Sequence, residues 1–389
     1  MKITKLETFV AGAAWRDLIF IRLHTDEGIT GCAEATAHNK TSPTLAYFQE
    51  AATRYVIGSD PFNIEDLFAR MFRLDYSYAA SVQSTVISAV EIACWDIIGK
   101  YLKQPVWRLL GGRCRERVPA YANGWYTVER DPALFAERAR DVVKKGYRAI
   151  KFDPFGAGGL EHSRQEKLLT ISLVEAVRDA VGPDVEIFIE AHGRMSPATA
   201  VAMAREIERF DPAWYEEPVP PEDIEALLFV KNHIGIPVAT GERCHTRYEF
   251  RPLVERRAAD ILQPDVIHAG GLLETKKIAA MAEPCYIMVA PHNSAGPGCT
   301  AASVHFAFCT PNFKIQETFD DYSEPWVKQI VKGAPEAVNG FFELPSAPGL
   351  GIELDEDIIR EHPPQQRFFN LWDPQWHKRN LWSSQHEND

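Results

Sequence analysis

Three glutamates follow three short apolar stretches of the chain at equal separations. Glu190, Glu216 and Glu242 occur in the segments VEIFIEAHG, AWYEEPV and PVATGER. A carboxylate at the end of an apolar strand is costly unless it is paired or bound to a metal. If the three strands are neighbours in one parallel sheet, the three carboxylates meet around a single hard cation. Oxygen ligands alone favour Mg²⁺, which keeps coordination positions for water or a bidentate substrate.

Other candidate strands also end in ionisable side chains. These are Lys151 and Asp153 in AIKFDPF, His192 in VEIFIEAHG, Asp265 in ILQPDVIH, His292 in CYIMVAPH and Glu317 in KIQETF. In a (β/α)8 barrel the catalytic groups lie at the C-terminal ends of the strands. The pattern therefore predicts one site to which several strand ends contribute titratable groups.

The elements that would position these residues alternate from about Val118 onward. Eight short strand candidates are separated, in most cases, by amphipathic helix patterns such as PALFAERARDVVKKG and QEKLLTISLVEAVRDAVG. This alternation favours a parallel sheet, and about eight strands favour a closed barrel over an open sheet. Upstream, residues 18–35 predict two strands around a turn, and Ser81 to Leu102 predict a long helix.

Composition excludes several classes of protein. Of 389 residues, 46% are apolar and 25% are charged, and the formal net charge is −12. These values exclude disordered, collagen-like and small disulfide-rich chains. The acidic balance argues against broad nucleic-acid binding, and no uninterrupted apolar run reaches the roughly 18 residues of a membrane span. The seven cysteines form no CxxC pair, and MKITKLETFV lacks the apolar core of a signal peptide, so we expect a cytoplasmic protein.

Taken in order, these residues resemble the motifs of the enolase superfamily and, within it, the mandelate racemase subgroup. SAVEIACWDIIGKYLKQPVWRLLGG is similar to the helix and connector that lead into the family's barrel, and QPDVIHAGG and APHNSAGP match later strand ends. The resemblance covers nearly the whole chain. It implies an α/β fold, with a TIM-type (β/α)7β barrel over 116–320 and an α+β N-terminal capping domain over 1–115. We expect 321–389 to pack back on the capping domain, and the resemblance implies a homo-oligomer.

The resemblance also implies a role for each matching residue. The three equally spaced glutamates match the ligands of a Mg²⁺ ion that binds the substrate carboxylate, although the first ligand, Glu190, is commonly Asp in the family. His292 matches the base that removes the α-proton, and Asp265 matches the acid that fixes its tautomer. Lys151 would add positive charge near the substrate carboxylate, and Glu317 matches the acid of the eighth strand.

Two positions bear on the reaction. Racemases of this subgroup have a second Lys in a Lys-x-Lys pair, and this chain has Asp153 there. The motif Glu190-Ala-His192-Gly-Arg194 instead resembles galactonate-type dehydratases, in which the His is a general acid. His192 would then protonate a departing 3-hydroxyl, and an acid sugar would become a 2-keto-3-deoxy acid. We therefore predict an acid-sugar dehydratase, a lyase, whose substrate-binding residues include Asp153, Arg194 and His38.

Some alternatives stay open at this point. Another enolate-forming reaction on a carboxylate, such as cycloisomerisation, racemisation or epimerisation, would use the same scaffold, and a non-catalytic binding protein is a further possibility. Among single residues, His192 could be only a hydrogen-bond donor beside the metal site, and Lys151 could be an ion-pair partner of Asp153. His38 could be exposed to solvent, and Trp376 in the aromatic C-terminal stretch is expected to be a packing residue.

Overall fold

The N-terminal part of the chain forms an antiparallel meander. The structure is a computed structural model that describes residues 1–76, 81–365 and 367–379. The strands are β1 (Ile3–Gly12), β2 (Asp17–Thr25) and β3 (Thr30–Glu34), paired in that order. β2 is the central strand and is buried at most positions, and its sequence DLIFIRLHT is rich in the β-branched and aromatic residues that favour strands.

A long buried helix joins the meander to the rest of the molecule. The described helices of this part are α1 (Thr41–Ala51), α2 (Ile64–Arg73), α3 (Ser81–Leu102) and α4 (Val106–Leu109). α3 has the bounds that the sequence predicts, and it contacts β2 and β3 as well as a barrel helix. It is the one described helix that is long and apolar enough for a membrane span by length and composition, but 89% of its apolar window is buried inside the protein, as in a core helix.

Residues 118–318, all of which the structure describes, form a parallel barrel. Its strands are β4 (Val118–Ala122), β5 (Ala149–Phe152), β6 (Glu186–Glu190), β7 (Trp214–Glu216), β8 (Val238–Thr240), β9 (Ile261–Leu262), β10 (Met288–Val289) and β11 (Gln316–Thr318). The intervening helices are α5 (Pro132–Lys144), α6 (Arg164–Val181), α7 (Pro197–Ile207), α8 (Ile224–Lys231), α9 (Thr246–Glu255), α10 (Leu272–Ala282) and α11 (Pro297–Phe308). The strands pair in chain order, β11 pairs with β4, and a parallel bridge between Val289 and Phe313 closes the circle.

The period of two residues along each strand explains why the ionisable residues lie together. One layer of the barrel interior is filled by Tyr121, Ala149, Phe188, Trp214, Ala239, Ile261, Ala290 and Ile315. Residues two positions further along a strand point the same way, and Lys151, Glu190 and Glu216 stand in that relation to members of this layer. The rings of Phe188 and Trp214 stack with centroids 3.5 Å apart. The apolar layer is therefore the floor beneath a layer of charged side chains.

The C-terminal part of the chain returns to both units. Its elements are β12 (Val331–Lys332), β13 (Phe341–Phe342), β14 (Glu353–Leu354) and α12 (Glu356–Glu361). β13 pairs with the start of β4, and α12 contacts β1. Several residues between 367 and 379 then line the cavity at the C-terminal ends of the barrel strands. The segment predicted to pack on the N-terminal unit thus contacts the barrel as well.

Candidate active site

Three glutamate side chains converge at the C-terminal end of the barrel. Glu190 and Glu216 are the last residues of the paired strands β6 and β7, and Glu242 lies just beyond β8. One carboxylate oxygen from each lies within 4.8 Å of the other two. Glu190 and Glu216 are buried, and Oε2 of Glu190 has no hydrogen-bond partner in the part of the chain that the structure describes.

The electrostatics of this triad fit a divalent cation. Burial and the negative charge of Glu216 both disfavour the ionised form of Glu190, so its pKa lies well above the usual value. A hard cation would stabilise the ionised form and would satisfy the unpartnered oxygen of Glu190. The sequence-predicted ligands are therefore brought together in an arrangement of oxygens that suits a divalent metal.

Lys151 lies within the same buried cluster. Its Nζ is 2.6 Å from Oε1 of Glu216, 2.9 Å from Oε1 of Glu317 and 3.7 Å from Oε2 of Glu190. Burial opposes the charged ammonium group, but Glu216 and Glu317 outweigh it and raise the pKa of Lys151 well above its usual value. Nδ2 of Asn123 donates to Glu317 over 2.7 Å and holds that carboxylate in place. Lys151 therefore pairs with the glutamates, and the alternative pair with Asp153 is wrong.

His292 and Asp265 form a hydrogen-bonded pair. Nδ1 of His292 is 2.8 Å from Oδ2 of Asp265, and its Nε2 is 3.4 Å from Oε2 of Glu242. Burial opposes protonation, but Glu242 and Glu317 raise the pKa of His292 to about 10 in the absence of a cation. Asp265 fixes the tautomer that leaves Nε2 facing the glutamate triad. With a cation among the carboxylates, His292 is placed to accept a proton.

His192, Asp153 and Arg194 form a second chain of contacts. Nδ1 of His192 is 2.5 Å from Oδ2 of Asp153, and Nη2 of Arg194 donates to the same oxygen. Arg194 is buried, and its remaining groups donate to the backbone oxygens of Ala191 and Gly156. Burial lowers the pKa of His192, although Asp153 opposes this shift. Asp153 and Arg194 thus orient His192, and their contact with a substrate stays a prediction.

One cavity of about 530 Å³ joins these groups. The sequence-predicted residues that line it are Lys151, Glu190, His192, Glu242, His292 and His38. His38 lies on the loop after β3, where it stacks on Trp15 with ring centroids 5.0 Å apart and its Nε2 is 3.1 Å from Oγ of Ser294. It is half-buried, so the N-terminal unit supplies one wall of the cavity.

Sequence patterns do not identify several other residues at the cavity. Thr85 on α3 and His268 form a hydrogen bond of 2.8 Å, and Arg243 donates to the backbone oxygen of His192 over 3.0 Å. Residues 368–372 and Arg379 line the cavity from the C-terminal part of the chain. The concentration of aromatic residues after Phe368 was the available signal, but it does not say which surface they cover.

Comparison with known proteins gives the family. Residues 134–358 match the family described as enolase C-terminal domain-like, and residues 6–111 match the mandelate racemase / muconate lactonizing enzyme N-terminal domain. The chain is 34% identical over 362 residues to a D-gluconate/D-galactonate dehydratase of Picrophilus torridus, covering 92% of each chain. It is 35% identical over 380 residues to a D-galactonate dehydratase of Xanthomonas oryzae pv. oryzae, covering 94% of this chain and 96% of the relative.

A solved structure agrees with these matches. A mandelate racemase/muconate lactonizing enzyme-like protein from Roseovarius sp. TM1035 superposes with a TM-score of 0.89 and 37% identity, covering 94% of this chain and 96% of that one. The family resemblance and the barrel fold predicted from the sequence are confirmed. The chain belongs to the mandelate racemase/muconate lactonizing enzyme family of the enolase superfamily.

Proposed function

We propose that this protein is a magnesium-dependent acid-sugar dehydratase, a lyase that converts an aldonic or related acid sugar into a 2-keto-3-deoxy acid. The observation that carries the proposal is the placement of His292 and His192, each with its own carboxylate partner, in one cavity with Glu190 and Glu242 of the glutamate triad. Loss of water across two adjacent carbons needs one base and one acid. The names of the Picrophilus and Xanthomonas relatives support a sugar-acid substrate.

The first proton transfer is the task of His292. Asp265 holds Nδ1, so Nε2 accepts the proton from the carbon next to the substrate carboxylate. Lys151 keeps a buried positive charge beside the triad, where negative charge develops on the substrate. A Mg²⁺ ion held by the three glutamates would supply a binding point for the substrate carboxylate and stabilise that developing charge.

The second transfer is the task of His192. Asp153 accepts from Nδ1–H and partly offsets the burial that lowers the pKa of His192, so that the protonated ring can give its Nε2 proton to the departing 3-hydroxyl. The C3–O bond breaks, the hydroxyl leaves as water, and the electron pair from the former C2–H bond forms the C2–C3 double bond. The resulting enol becomes the 2-keto acid.

Two-base racemisation lacks its second base at the expected position. Asp153 stands there, and its carboxylate is bonded to both His192 and Arg194. We also propose that the protein works in the cytoplasm as a homo-oligomer. The free thiols of all seven cysteines, each in the described part of the chain, support a reducing compartment.

The test separates the two proton transfers. The protein is incubated with Mg²⁺ and a panel of acid sugars in D₂O, the α-proton is followed by NMR, and 2-keto-3-deoxy acids are measured as semicarbazones. We expect His292→Asn to lose both exchange and product, and His192→Asn to keep exchange while losing product by about 10²-fold or more.

The control is His233→Asn, since His233 is an exposed histidine just after α8 whose Nδ1 lies 2.7 Å from the backbone oxygen of Phe229. It should match the parent protein in both assays. Exchange without any dehydration in the parent would favour another enolate-forming reaction, and unchanged dehydration in His192→Asn would contradict the role of His192.

A further inference from the structure

Arg379 carries a buried guanidinium with unsatisfied N–H groups. The residue is 5% exposed, and its Nη2 donates to the hydroxyl of Tyr126 over 3.2 Å. Within the described ranges, its Nε and Nη1 have no hydrogen-bond partner, and no carboxylate forms an ion pair with it. A buried cation without an anion is unfavourable, so an anionic ligand in the cavity would stabilise this group.

Aromatic rings surround the guanidinium without neutralising it. Its Cζ lies 4.6, 5.2, 5.2 and 5.9 Å from the ring centroids of Phe319, Trp15, Tyr126 and Trp376. Such rings attract a cation but do not replace an anionic oxygen as acceptors. The guanidinium of Arg16 lies over two of the same rings, at 4.2 and 5.4 Å, and adds positive charge to this region.

The segment that carries Arg379 is fixed by specific contacts. The side chain of Asn39 exchanges two hydrogen bonds of 2.7 Å with the backbone of Phe369. The indole N–H of Trp376 donates to the backbone oxygen of Gly156 over 2.9 Å, and Lys378 pairs with Glu129. The guanidinium is therefore held at a defined place in the wall of the cavity.

Arg379 and His192 both lie next to Trp376. The ring of Trp376 meets the ring of His192 edge-on, with centroids 5.4 Å apart, and the guanidinium of Arg379 packs against the same indole. Both His192 and Arg379 line the cavity. If His192 acts at C3, the far end of a sugar acid in the same cavity can reach Arg379.

We propose that Arg379 determines specificity by binding a second, terminal carboxylate, so that the preferred substrate is a dicarboxylic acid sugar. A terminal hydroxymethyl group would offer one acceptor and leave the charge of Arg379 uncompensated. A carboxylate supplies two acceptor oxygens and the missing negative charge. The inference rests on the proposed function and specifies its substrate.

The experiment compares ligands that differ only in the terminal group. Galactarate with D-galactonate, and D-glucarate with D-gluconate, are titrated calorimetrically into the Mg²⁺-loaded His292→Asn variant, which does not turn them over. We expect at least one of the two dicarboxylates to bind about 10-fold or more tightly than its matched aldonate. Adding Arg379→Met should weaken the binding of that dicarboxylate about 30-fold or more and the binding of its aldonate less than about 3-fold, because removing one partner of a buried charge pair is costly.

Two further variants complete the design. Arg379→Lys keeps the charge and should retain part of the preference. Lys144→Met removes an exposed cation of α5, which pairs with Asp141 of the same helix and does not line the cavity, and it should retain all of the preference. Three results would overturn the proposal. They are an equal loss of affinity for both members of a pair in the Arg379→Met variant, no loss of affinity in that variant, and tighter binding of the aldonates than of the dicarboxylates by the His292→Asn protein. Selective dicarboxylate binding without dehydration in the parent protein would contradict the proposed function alone.

Discussion

At the scale of single residues, the negative charge of Asp265 can be separated from its size. Asp265 accepts a hydrogen bond from His292 and helps to raise its pKa. Asp265→Asn keeps the shape but removes the charge, so we expect the exchange rate of the substrate α-proton to fall by about 10²–10⁴-fold. The acid limb of its pH profile should move to lower pH, because His292 then loses its proton more readily. NMR exchange rates across the pH range test this, and an unchanged rate and profile would contradict it.

The residues of the charged cluster that the sequence identified share one property. Lys151, Glu190 and Glu216 stand at the ends of apolar strands, where the period of two residues and the strand order fix their direction. Arg379 and Trp15 enter the same cavity from loops and from the C-terminal segment. No periodicity relates such residues to the barrel, because their position depends on contacts between distant parts of the chain. The cluster of carboxylates was therefore predictable from the sequence, and the part of the cavity wall formed by Arg379 and Trp15 was not.

At the scale of elements, the N-terminal unit caps two barrel helices. Glu91 on α3 accepts from the backbone N–H groups of Leu272 and Leu273 at the start of α10, over 2.7 and 2.9 Å. Glu34 at the end of β3 accepts from Gly296 and Cys299 at the start of α11, over 2.8 and 2.9 Å. Helix N-termini leave such N–H groups without partners in their own helix. Because α10 and α11 follow the loops that carry Asp265 and His292, these caps support the catalytic pair.

Replacing Glu91 tests the cap on α10. Glu91→Ala leaves buried N–H groups of Leu272 and Leu273 unpaired, so we expect the free energy of unfolding to fall by about 2–4 kcal/mol. Glu91→Gln keeps an acceptor oxygen, so its free energy of unfolding should fall less. Glu175→Ala, at an exposed position of α6, should leave the free energy of unfolding almost unchanged. Urea denaturation of the three variants measures this, and equal stability of Glu91→Ala and Glu175→Ala would contradict it.

Element boundaries show where local sequence is sufficient. α3 has the predicted bounds because apolar residues recur at helical spacing along it, from Val86 to Ile97. In the segments ILQPDVIH and CYIMVAPH the strands have only two residues each, Ile261–Leu262 and Met288–Val289, and the rest of each segment leads into the site. Apolar character predicts that such a segment is buried, but the length of the strand depends on its neighbours in the barrel.

At the scale of the whole molecule, the cavity lies between three parts of the chain. The barrel supplies the layer of charged side chains, the N-terminal unit supplies His38 and Trp15, and the C-terminal part supplies residues 368–372 and Arg379. A cation held by the triad would neutralise carboxylates at the centre of this assembly, so its binding should stabilise the entire fold. That stabilisation must depend on pH, because protons and the cation compete for the same negative charges.

The direction of the pH dependence follows from the raised pKa values. Without a cation, the raised pKa of His292, about 10, gives stability that is present below its unfolded value near 6.5 and is lost as the pH rises towards 10. The raised pKa of Glu190 acts in the same direction above its unfolded value. A bound cation replaces the lost protons, so the rise in melting temperature on adding MgCl₂ should be larger at pH 8.5 than at pH 6.5. For each proton displaced, the difference in cation binding is about 1.4 kcal/mol per pH unit. Glu216→Gln and NaCl at matched ionic strength are the controls, and a rise that shrinks with increasing pH would show that the cation binds elsewhere.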